Sequence, residues 1–216
     1  MSPALLLDLS LATAAVGLAL ALRPWRAVAA SGPPWPWLAW AAVMPLLWSA
    51  DRHADVPLAQ PLSGACLLVL MAGWPLAVLG LLPVAGVTLL MAGLPLAEGL
   101  HRGVWLGLVP ATGALLLGAG IRRVLPHQLF VYILGRGFFA TAVAGTLTGV
   151  ASVLLHGTPP SLQPEDLMLA RFLAAWGDAF ITGMLVAIFV AFRPQWLATY
   201  ADRIWLQAPP PDRGVR

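Results

Sequence analysis

Residues 57–96 read PLAQPLSGACLLVLMAGWPLAVLGLLPVAGVTLLMAGLPL and contain no charged side chain. The stretch is about twice the ~20 apolar residues that cross a bilayer core. Gly73-Trp74-Pro75 divides it, because proline has no N–H to continue a helix and restarts one at its first turn. The reading is therefore a short piece, Leu58–Ala72, followed by a fuller span, Pro75–Ala92. The short piece opens Pro57-Leu-Ala-Gln60-Pro61-Leu-Ser63-Gly64, which makes poor lipid-facing helix. Non-helical backbone at membrane depth is tolerated only inside protein or beside a cavity, and such segments often border transport sites. This opening reads either as ligand-adjacent or as an ordinary outer turn leading into a short helix.

The rest of the chain has the same character. Of 216 residues, 60% are hydrophobic and 10% charged, with a mean hydropathy of +0.84. A soluble domain needs about 25% charged residues to hydrate its surface, so lipid must be part of the solvent. Further apolar segments are Ala4–Leu22, Trp35–Ala50 (opened by the Gly32-Pro33-Pro34 turn), Gly103–Ile121, Leu129–Leu155 and Asp166–Phe192. The expected fold is all-α and polytopic, with about seven transmembrane helices, one of them short and broken. Residues 1–206 form one transmembrane domain and 207–216 a short cytoplasmic tail. The first segment lacks a basic n-region and contains Asp8, so it reads as a retained helix rather than a cleaved leader.

All twelve basic residues are arginine. With seven spans, Arg23, Arg26, Arg122, Arg123, Arg193, Arg203, Arg213 and Arg216 share one side, and Arg52, Arg102 and Arg171 the other. The positive-inside rule then places the amino terminus outside and the carboxyl terminus in the cytoplasm. Asp51, Asp55, Glu98, Glu165 and Asp166 fall outside. A six-span reading, fusing the split pair, would break this asymmetry. Scattered arginines at span ends are an orientation signal, not a nucleic-acid stripe. The single cysteine, Cys66, excludes an intramolecular disulfide.

Tryptophans near span ends, including Trp35, Trp37, Trp48, Trp105, Trp196 and Trp205, read as interfacial anchors. Gly145 and Gly149 form a G-x-x-x-G step that lets helices approach closely; a glycine-lined permeation path is the sharper alternative.

Ionisable groups inside a span usually face the protein interior or a water-filled cavity. Asp8, Arg136 and Asp178 qualify. Asp178 and Thr182 stand at i and i+4 on one helix face, and Arg136 and Asp178, on consecutive antiparallel segments, could pair. His53, His101 and His156 fall in outer loops, where water ordinarily solvates them; with outer carboxylates they could also assemble a metal-admitting site. His127 falls on the inner side. No H-E-x-x-H, phosphate-binding loop or nucleophile elbow is present, so no enzymatic chemistry is read.

From Pro57 onward, over about two thirds of the chain, the sequence resembles the CbiM/NikM-like permeases of energy-coupling factor transporters. Three stretches carry the likeness. They are the broken helix with Ala72-Gly-Trp-Pro-Leu-Ala-Val-Leu-Gly80, Leu125-Pro-His-Gln-Leu-Phe-Val-Tyr-Ile133, and Gly177-Asp-Ala-Phe-Ile-Thr-Gly-Met184 with Phe192-Arg-Pro-Gln-Trp-Leu-Ala-Thr-Tyr200. The resemblance implies a substrate-capture subunit in a bacterial inner membrane, taking up a transition-metal ion such as cobalt or nickel, or another small solute. It also implies a transmembrane coupling protein and cytoplasmic ATPases as partners. Metal-capturing members begin Met-His and carry a histidine in the short third helix. Here residue 2 is Ser, and Ala59–Gly64 has no histidine, so neither metal ligand carries over. Ser63, Arg136, Asp178 and Thr182 are the expected polar lining of a substrate site. The alternative is a non-transporting membrane scaffold or assembly factor, in which Arg136 and Asp178 only lock the bundle.

Overall fold

A computed structural model describes residues 2–25, 35–53, 61–158 and 163–200. The Gly32–Pro34 turn, Asp55, Gln60, Trp205 and the 207–216 tail lie outside these residues. The described chain is all-helical, with no strand. Helix α1 is Pro3–Ala21, α2 Trp35–Trp48, α3 Ala50–His53, α4 Ala65–Ala72 and α5 Trp74–Met91. Three longer helices follow: α6 (Leu96–Val124), α7 (Val131–His156) and α8 (Pro164–Phe192). The five helices α1, α5, α6, α7 and α8 are long and apolar enough to cross a membrane, and the protein is a polytopic membrane protein. Its surface carries many large apolar side chains, Leu90, Leu96, Phe130, Leu154 and Phe192 among them. Lipid is the solvent that tolerates such a surface.

The two remaining apolar segments are shorter than a span. Helix α2 has 14 residues, about 21 Å at 1.5 Å per residue. Helix α4 has eight, about 12 Å, and every one of them is buried. Ahead of α4 the chain is non-helical from Pro61 to Gly64. Gly64 sits at φ +68° and Gly73 at φ +80°, a left-handed region that residues with a Cβ avoid. These two glycines begin and end α4, and Pro75 restarts the helix as α5.

Both α6 and α7 contain a π-helical stretch, Gly103–Leu108 and Val131–Phe139. Such stretches widen the turn and cluster at functional sites; these two carry Trp105 and Arg136. The loop expected before residue 103 is instead helical. Pro95 precedes the helix, Glu98 occupies its first turn, and α6 runs on from Leu96 without a break. His156 is likewise the last residue of α7 rather than part of a loop.

Helices α7 and α8 make the most intimate pair. A methyl added at Gly149 would lie 2.9 Å from the Arg171 Cβ, and one at Gly145 2.9 Å from the Ala175 Cβ. The G-x-x-x-G step thus serves close packing. A core of Met44, Trp48, Val78, Leu81, Val104 and Ala111 joins α2, α5 and α6. A second, with Leu67, Met71, Tyr132, Val186 and Leu197, ties α4 to α7, α8 and the segment behind α8. Trp35 is exposed and stacks edge-on against Trp196, as an interfacial anchor would. Trp48 and Trp105 are buried; their N–H groups serve interior acceptors, which corrects the anchor reading for both.

Candidate functional site

Pro61–Gly64 lies where a helix would have satisfied its own backbone, so other groups must do so. Trp48 Nε1 donates to the Ser63 carbonyl at 2.7 Å, and Trp40 Nε1 to the Gly64 carbonyl at 2.9 Å. The Gly64 N–H donates to Asp178 Oδ1 at 2.9 Å, and the Ala65 N–H to Ser63 Oγ at 3.1 Å. The Ser63 hydroxyl in turn donates to the Leu106 carbonyl at 2.6 Å. Leu106 lies one turn before Pro110, which has no N–H to offer it. The proline in α6 thus frees an acceptor for the broken segment.

Beside this clamp lies a cavity of about 260 Å³. Its walls include Pro61 and Ser63, the first turns of α6 (Glu98, His101, Arg102, Trp105), Thr148, Gly149 and Ser152 of α7, and Arg171, Ala174 and Asp178 of α8. This is the arginine-poor side of the bundle. Arg102 is the structural cation here. It contacts both Asp51 oxygens at 2.7–2.8 Å, Glu98 Oε1 at 2.9 Å and the Trp48 carbonyl at 2.6 Å. Arg52 reaches Glu98 at 3.1 Å. Burial alone would push the Asp51 carboxyl upward, but the Arg102 pair, aided by Arg52, outweighs it and holds it below the usual carboxylate range. Arg171 donates to the Gly149 carbonyl at 2.9 Å, while its buried Nε has no hydrogen-bond partner among the described residues.

The four expected site residues separate. Ser63 and Asp178 line the cavity. Arg136 and Thr182 are buried outside its walls. Arg136 sits 5.5 Å from the centre of the Tyr132 ring and reaches the Thr199 carbonyl at 3.4 Å. Its Nε packs where Gly118 leaves room. The direct Arg136–Asp178 pair does not form: Asp178 spends its carboxylate on Gly64 instead.

A second polar cluster borders the same cavity. Asp8 of α1 is buried. Its Oδ1 accepts from Trp105 Nε1 at 2.8 Å and lies 3.2 Å from His156 Nε2; its Oδ2 lies 3.1 Å from His101 Nδ1. The two imidazoles meet edge-on, 4.5 Å between centres. The sequence marks Asp8 as anomalous and His101 and His156 as lying on the same outer side. It could not join them, because they stand 93 and 148 positions from Asp8. Their solvated-loop reading is corrected: both belong to helix ends and face a buried carboxylate. His53 makes no contribution to this cluster.

Against known proteins, the chain matches no protein family, no curated protein and no solved structure.

Proposed function

We propose that this protein is the substrate-capture permease subunit of an uptake transporter, receiving a small solute from the arginine-poor, outer side. One observation carries the reading: a charged cavity lies between the broken segment before α4 and helices α7 and α8. A bundle that serves only to pack needs no such space. At about 260 Å³, the space falls just below the ~300–1,000 Å³ of pockets that take drug-sized ligands. That suits a partly hydrated ion or a small polar molecule rather than a lipid or peptide. Arg102 is already neutralised by Asp51 and Glu98, which leaves Asp178 and Arg171 as charged groups available to a guest, beside the Ser152 hydroxyl and His101. The resemblance to energy-coupling factor permeases adds cobalt or nickel as the cargo, and a coupling protein with cytoplasmic ATPases as the source of work.

The test is uptake. Cells with and without the gene are compared for cobalt and nickel content by mass spectrometry, alongside Ala174→Phe, which fills the cavity from its α8 wall. Lost uptake in both the deletion and a normally inserted Ala174→Phe protein supports transport. Uptake of both metals unchanged on deletion sinks the cobalt and nickel reading. Ala174→Phe that leaves every measured solute flux intact removes the cavity from the pathway.

A further inference from the structure

We infer that Asp8, His101 and His156 form a binding site for a divalent first-row transition-metal ion, with the Trp105 indole holding the carboxylate in place. Three different helices, α1, α6 and α7, each contribute one ligand-type side chain, and the three ligand atoms lie within 4.8 Å of one another. Metal–ligand bonds of about 2.0–2.2 Å place neighbouring ligand atoms about 2.8–3.6 Å apart, from octahedral to tetrahedral angles. The carboxylate-to-imidazole separations of 3.1 and 3.2 Å fall inside that range. All three ligand atoms lie within 4.8 Å of one another, so rotation of the side chains can draw them around one ion.

The donor set selects the cation. Two imidazole nitrogens and one carboxylate suit zinc, cobalt, nickel or iron(II), and not the oxygen-demanding calcium and magnesium. Three protein ligands leave at least one coordination position open, as in exchangeable rather than closed structural sites. That open side exists here: His101 and Trp105 are also cavity walls, and the His101 side chain is 30% exposed. Trp105 supplies the outer-shell hydrogen bond that metal-ligating carboxylates need. The buried Nδ1 of His156 and the Ser152 hydroxyl one turn earlier both lack partners among the described residues. They are the groups positioned to complete that shell. These residues are not the amino-terminal ligands of the resembling permeases. The site rests on the capture reading only for where the ion goes next; binding itself stands apart from it.

The experiment uses the full-length protein purified in detergent and stripped with chelator. Co²⁺ is titrated while its visible absorption is followed, and Zn²⁺ and Ni²⁺ are titrated by calorimetry. We expect one ion per chain, and an upward melting shift of about 5–10 °C at a hundredfold excess over Kd. Asp8→Asn and His156→Gln should each weaken binding at least ~100-fold, and Trp105→Phe about tenfold. Glu165→Gln, an exposed carboxylate on the same side, should change nothing. Asp8→Asn keeps an acceptor for Trp105, so it separates lost charge from lost fold. Three results overturn the site: no melting shift with any of the three ions, affinities unchanged in Asp8→Asn and His156→Gln, or a cobalt spectrum without nitrogen ligation. Binding with no uptake in cells would reject the transport reading and leave the site standing. Uptake without binding would do the reverse.

Discussion

Replacing Asp178 by two different residues separates its charge from its place in the backbone clamp. Asp178 Oδ1 accepts the N–H of Gly64, the residue that begins the buried helix α4. Asparagine keeps an oxygen at that position, loses the charge and puts an NH2 where the second oxygen stood. A hydrogen bond to a charged group contributes about 1.5–3 kcal/mol and a neutral one about 0.5–1.5, so Asp178→Asn should cost about 1 kcal/mol. Leucine has the same branched side-chain skeleton, is bulkier, and accepts nothing. It orphans a buried N–H, at about 1–3 kcal/mol, and its extra bulk crowds the site for a further ~1–3 kcal/mol, so Asp178→Leu should cost about 2–6 kcal/mol. Reversible unfolding in mixed micelles measures both, and cells expressing each variant are compared for uptake of the proposed cargo. Equal stability losses for the two variants would refute the clamp. Full uptake by Asp178→Asn would show that the charge has no part in capture.

Two further outcomes follow from the packing and from the outer ion network. Gly149→Ala places a methyl 2.9 Å from the Arg171 Cβ, a backbone-anchored atom that cannot swing away, so thermal unfolding should report a loss of about 1–3 kcal/mol; a neutral result would mean that α7 and α8 slide freely. Asp51 is held below its ordinary range by Arg102. Its contribution is fully present above about pH 4 and fades as pH falls through the lower folded value. Melting curves between pH 6 and 3, compared with Asp51→Asn, should show an acid-labile component in the wild type that the variant lacks.

What the sequence discloses about this fold follows from which interactions are local. Apolar length and proline or glycine punctuation are local, so α1, α5, α7 and α8 emerge within a few residues of their boundaries, as does the break at Gly73. The first turns of α6 do not, because Glu98, His101 and Arg102 look like loop residues until one sees that Asp51 and Asp8 face them. Asp178 and Ser63 are legible as polar residues within apolar runs, and both reach the cavity. Arg136 is equally conspicuous, yet it is absorbed by Tyr132 and the segment behind α8. A buried charge announces a partner without naming it. The Asp8 cluster is the extreme case, built from residues separated by most of the chain.

The side-chain clamp on Pro61–Gly64 bears on how the protein is made. An eight-residue helix behind a non-helical lead-in offers the insertion machinery too little continuous apolar helix to be partitioned into lipid by itself. The N–H of Gly64 has its acceptor 114 positions later, on a helix that leaves the ribosome well after it. Segment 61–72 thus completes its clamp only when α8 arrives, although the Trp40 and Trp48 donors are made before it. Chains truncated before residue 178 should then expose this segment to quality-control proteases, while α1, made before it, is already inserted.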